Sequence, residues 1–191
     1  AAFFEAYGAE GWTALRELIG SIPKQVPVVL DAKRGDIAST AAAYAKAVFE
    51  TLGADAVTLN PYLGQDSLEP FLSDPERGVF LLCKTSNPGS ADLQDLVLAG
   101  GETVYERVAR LAQGWNRRGN LGLVVGATHP DALRRVRLAA PDLWVLAPGV
   151  GAQGGDLAEA LREGLRADGL GLLAPVSRGL SRAADPRQAA L

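Results

Sequence analysis

Short runs of apolar residues alternate along the chain with longer segments whose apolar residues recur every three to four positions. The first pattern predicts buried strands and the second predicts amphipathic helices. Trp12, Leu15, Leu18 and Ile19 predict a helix over residues 11–21. A strand is expected at 26–31, followed by an Ala-rich helix at 39–52 with Ser39 or Thr40 as its N-cap. Further strands are expected at 55–59, 79–83, 121–125, 144–147 and 170–176. The helices between them are expected at 67–72, 102–117, 130–138 and 156–165, the third opening on a proline. In the 102–117 helix, Val104, Val108, Leu111 and Trp115 are expected to face inward. Residues 85–100 are polar, carry Gly and Pro, and read as loop. Beyond Val176 the chain reads as a polar tail.

The six predicted strands are continuous apolar runs rather than alternating ones, and a crossover segment separates each from the next. That pattern belongs to a parallel sheet covered by helices. An open doubly wound sheet and a (β/α)8 barrel both fit it. No linker, composition shift or internal repeat divides residues 1–191, so one α/β domain is expected.

Composition narrows the function classes. Apolar residues make up 48% and charged residues 21%, which excludes wholesale disorder. The net charge of −3 and the lack of a basic block speak against nucleic-acid binding. No run reaches the ~18 apolar residues of a membrane span, and residue 1 does not open a signal peptide. One cysteine, Cys83, cannot form an internal disulfide, so a reducing cytoplasm is expected. One histidine, His129, leaves no His-rich metal site.

The strongest chemical signal is the stretch from Val28 to Asp36, where an apolar strand ends in D-x-K-x-x-D. In extended chain, residues two apart point the same way. Asp31 and Lys33 therefore share a face at the carboxyl end of a parallel strand, where both candidate folds bind ligands. Alternatively, these residues form only a solvated ion pair. A second signal is the Gly-rich loop at 147–156. It contains G-x-G-x-x-G at 149–154 but follows the penultimate strand, whereas a dinucleotide fingerprint opens the first βαβ unit. Such a loop suits an anion near a helix N-terminus. The third signal is Arg178 in Ser177-Arg178-Gly179, a side chain suited to bidentate phosphate contact. Loops after the last two strands favour a barrel phosphate site over an open sheet. Ser86, Thr85 and Asn87 can hydrogen-bond a ligand or simply turn the chain. His129 reads as a helix-start residue, Cys83 as packing, and the loop at 60–62 has no assignable chemistry.

With these motifs the chain resembles the orotidine 5′-monophosphate decarboxylase family, in its longer-chain bacterial branch. The resemblance rests on residues 30–40, 57–71, 83–90, 121–128, 148–156 and 177–180, in that order. It implies a (β/α)8 barrel working as a cytoplasmic homodimer without metal or cofactor, on orotidylate. It further implies that Asp31 and Lys33 lie at the reacting carbon and that Asp36 reaches the partner's site. Thr40 is implied to cross the interface to the ribose, and Ser86 to contact the pyrimidine. Pro148 would line the base pocket, Gln153 would bridge base and phosphate, Gly154 would belong to the substrate loop, and Arg178 would hold the phosphate. The family's Asp after its first strand and Lys after its second have no counterpart here. Two strands are therefore expected ahead of Ala1, and the family's last helix is expected to continue past Leu191. A Mg²⁺-dependent keto-sugar-phosphate decarboxylase of the same superfamily and a non-catalytic barrel fragment are the alternative readings.

Overall fold

The computed structural model describes residues 1–151 and 154–190, so the expectation on Gln153 lies outside the described residues. The chain forms two compact units, Ala1–Leu82 with Asn116–Leu121, and Cys83–Trp115 with Gly122–Leu191.

The first unit opens with helices α1 (Ala2–Glu5) and α2 (Gly8–Ser21). Gly11 lets them approach, since a Cβ there would overlap the Phe4 carbonyl. The buried face of α2 is Gly11, Leu15 and Ile19, while Trp12 and Leu18 are exposed. That corrects the expected face, because the glycine contact sets the rotation of the helix. Strand β1 spans Val29–Arg34, three residues later than expected. Pro27 explains the shift. It has no N–H for a ladder, and Val26 is still in a turn, bonded to the Pro23 carbonyl. Helix α3 (Ala38–Lys46) continues into a π-helical turn at Ala47–Thr51. Its N-cap is Ile37, not Ser39 or Thr40, and Ala38 enters it at a φ of 48°. Strand β2 (Ala56–Leu59) is wholly buried. Helix α4 (Glu69–Leu72) and strand β3 (Gly78–Lys84) follow. Strands β1, β2 and β3 pair in parallel. The core collects Val57, Leu59, Leu68, Phe71, Val79 and Leu81.

In the second unit, helix α5 (Val104–Trp115) buries Tyr105, Ala109 and Ala112 and leaves Leu111 exposed. The expected face, Val104 to Trp115, is therefore displaced by about a residue. Small side chains let a helix pack closely, and periodicity weighted by bulk overlooks them. Strand β4 (Leu121–Val125), helix α6 (Pro130–Ala139), strand β5 (Trp144–Leu146) and helix α7 (Leu157–Gly164) match expectation closely. Strand β6 shrinks to Leu172–Leu173. Gly169 and Gly171 hold positive φ before it, and Pro175 cannot donate after it. Strands β4, β5 and β6 pair in parallel. The tail carries two helical turns, α8 (Arg178–Ser181) and α9 (Pro186–Ala189), where the apolar pattern alone predicted only a polar tail. Arg137 organises the amino ends of β5 and β6. Its guanidinium donates to the carbonyls of Ala140, Pro141, Leu143, Gly164 and Gly171. Among the described residues no helix is long and apolar enough to cross a membrane.

Candidate active site

The first unit holds the charged cluster. The ladder between β1 and β2 runs Val29 to Ala56 and Leu30 to Val57, then resumes at Arg34 to Leu59. Four steps on β1 match two on β2, so Asp31, Ala32 and Lys33 lie on a bulge. Bulges re-aim side chains and are frequent beside active sites. Lys33 takes a φ of 50°, left-handed for an L-residue. Its Nζ donates to both Asp31 oxygens at 2.6 Å. Both side chains remain at least half exposed, so the pair is open to a ligand.

Thr58 closes the cluster from below. Its Oγ1 accepts from Ala32 N at 3.0 Å and Lys33 N at 2.9 Å, and donates to Asp31 Oδ1 at 2.8 Å. Partial burial pushes the Asp31 carboxyl up. The hydrogen bonds from Lys33 and Thr58, with the charge of Lys33, outweigh it and hold the group below its ordinary 3.8. Asp36 does not join Lys33. Its Oδ1 accepts from its neighbour Ile37 N at 2.8 Å. Thr40 lies exposed in the first turn of α3. Arg34 turns away from the cluster, pairs with Glu5 of α1 and lies 5.2 Å from the Tyr44 ring.

The second unit holds the polar loops. Lys84 ends β3 almost fully buried, with Nζ 2.7 Å from Asp95 and 3.0 Å from Ser90 Oγ. The Thr85 amide donates to Gln94 Oε1, and the Lys84 carbonyl accepts from Gly126 N. Ser86 is half-buried against Gly126, where a Cβ would come within 3.1 Å of the Ser86 Cβ. Half-buried Pro148 accepts from Ala127 N at 2.8 Å. The glycine loop is internally bonded, with Gly151 N to Gly155 O, Gly154 N to Gly151 O, and Gly155 N to Gly149 O. The Asp156 carboxylate caps α7 by accepting from Glu159 N. Arg178 is the exposed first residue of α8. His129 occupies the N-cap position of α6. Cys83 is buried, its Sγ donating to the Tyr105 carbonyl, and burial pushes its thiol up. Asn60, to which no chemistry was assigned, caps the turn at Pro61–Leu63 through Tyr62 N.

The profile of the Orotidine 5'-phosphate decarboxylase / HUMPS family matches residues 1–191. The chain belongs to this family. It is 62% identical over 178 residues to the orotidine 5'-phosphate decarboxylase of Roseiflexus castenholzii, covering 93% of this chain and 65% of that protein. The solved Leishmania donovani OMP decarboxylase is 59% identical, with a TM-score of 0.94 over 99% of this chain and 74% of its own. Leishmania donovani UMP synthase gives 62% identity and a TM-score of 0.96, over 99% of this chain and 42% of its own. The chain thus spans about two thirds of the length of the curated relatives it matches. Its fold class is the parallel α/β of the family's (β/α)8 barrels, with six strands among the described residues.

Sequence reasoning missed Thr58, Lys84 with Asp95, and Glu5 with Arg34. Thr58 gave no signal, since its contacts arise only across a bulge. Lys84 gave one: with only four lysines in the chain, one at a strand end is conspicuous.

Proposed function

We propose that the protein decarboxylates orotidine 5′-monophosphate to UMP. The observation that carries this reading is Lys33, an ammonium held 2.6 Å from both Asp31 oxygens on an exposed bulge. Loss of CO₂ breaks the bond from C6 to the carboxylate carbon and leaves the electron pair on C6. A positive charge fixed nearby stabilises that carbanion more than it stabilises the substrate. Lys33 Nζ then gives its proton to C6, and the neutral amine recovers one from solvent. Asp31 keeps the ammonium aimed. Its charge beside the substrate carboxylate would also raise the ground state, which departing CO₂ relieves.

The remaining roles follow the family pattern. Ser86 and Pro148 hold the pyrimidine, Gln153 bridges base and phosphate, Gly154 belongs to the substrate loop, and Arg178 binds the phosphate. Phosphate binding lies far from C6, so its energy serves to organise the site. Asp36 and Thr40 serve the partner's site in a homodimer. The absence of a contact from Asp36 to Lys33 among the described residues supports that assignment, as do the exposed Ile37 and Tyr62. The reaction is read as needing no cofactor, because the ammonium supplies both the field and the proton, and as cytoplasmic, on the single cysteine.

The test is the fall in orotidylate ultraviolet absorbance with the protein and with Lys33→Ala. Rapid loss with the first and none with the second is expected. Equal rates for the two would defeat the assignment.

A further inference from the structure

We propose that the Thr58 hydroxyl is the positioning group that holds Lys33 and Asp31 in reacting geometry. The inference rests on the decarboxylase reading and adds a residue that the reading does not use.

The argument starts from the ladder. Between the Leu30–Val57 and Arg34–Leu59 pairs, the amides of Ala32 and Lys33 have no backbone partner on β2. Unpaired amides beside a buried strand are unfavourable, and a left-handed φ at Lys33 adds strain. Something must fix the bulge, and the Thr58 side chain does so. A threonine hydroxyl has one proton and two acceptor positions. Here all three are used, on Ala32 N, Lys33 N and Asp31 Oδ1. The same oxygen therefore sets the backbone from which Lys33 projects and the carboxylate on which its ammonium rests.

Thr58 is 1% exposed, so it cannot touch a substrate and acts only through its neighbours. Its residue type suits the role. A β-branched side chain on a strand is stiff at χ1, so the hydroxyl has one direction. Valine has the same shape but neither donates nor accepts. Serine keeps the hydroxyl and loses the methyl group.

The experiment is steady-state kinetics on orotidylate for the protein and for Thr58→Val, Thr58→Ala and Thr58→Ser. Misplacing a reacting group by an ångström costs on the order of 100-fold. The Val and Ala variants should therefore lose roughly 100-fold in kcat while KM changes less than about threefold. The Ser variant should stay within about tenfold of the parent, since it keeps all three hydrogen bonds. Ser and Ala both lack the methyl group and differ by the hydroxyl, so that pair decides the matter even where Val misfolds. A parent kcat in the Val or Ala variant overturns the proposal. So does an equal loss in Ser and Ala, or a loss confined to KM. An unsubstituted protein without decarboxylation would instead defeat the decarboxylase reading itself.

Discussion

Lys33 carries its charge on a backbone conformation that L-residues rarely adopt, beside a carboxylate that is held ionised. The D-x-K-x-x-D spacing made Asp31 and Lys33 legible, because in extended chain they fall on one face. The same reasoning could not see the bulge, since a bulge is a property of two strands and a sequence displays one. Asp31 gives a pH prediction at this scale. Its native proton affinity lies below that of the unfolded chain, so its contribution to stability is full above the ordinary carboxylate range. It is lost as pH falls through the lower native value. Urea denaturation should show Asp31→Asn less stable than the parent at pH 7, with the gap closing towards pH 3. The exposure of the pair keeps that gap below about 1 kcal/mol. A gap that widens on acidification would reverse the sign assigned here.

Among the elements, β2 and β4 were legible to within a residue or two because continuous apolar runs become wholly buried strands. Helix faces were less so. In α2 and α5, Gly11, Ala109 and Ala112 make the contacts, and small residues contribute little to an apolar count. Lys84 supplies a prediction at this scale. Breaking a buried pair by deleting one partner leaves an uncompensated charge. Asp95→Ala should therefore destabilise the protein by about 3 kcal/mol in chemical denaturation, at the low end because Asp95 is half exposed. Pairing it with Lys84→Met should recover part of the loss. Gly126 supplies another. A methyl group there would sit 3.1 to 3.3 Å from Ser86 Cβ, Cα and N, and the backbone must yield. Gly126→Ala should cost about 1–3 kcal/mol, read as a lower Tm. It should also weaken UMP more than ribose 5-phosphate, if Ser86 meets the pyrimidine.

For the molecule as a whole, alternation of strands and helices was enough to reach parallel α/β, and the loops after the last two strands favoured a barrel. The sequence did not reveal how β6 contracts, because two positive-φ glycines and a proline act together there. The proposed roles are chemistry for Lys33 and phosphate holding for Arg178. Kinetics should divide likewise. Lys33→Ala should abolish kcat. Arg178→Ala should raise KM by about 10- to 100-fold for the loss of a charged phosphate contact and also lower kcat, since phosphate binding organises the site. A kcat effect alone from Arg178→Ala would place that side chain elsewhere in the reaction. The most direct measurement uses orotidylate labelled with ¹³C in its carboxylate, followed by NMR in D₂O. The expected result is ¹³CO₂ and UMP deuterated at C6 in equal amounts, with neither formed by Lys33→Ala. Continued release of ¹³CO₂ by Lys33→Ala at the parent rate would contradict the account.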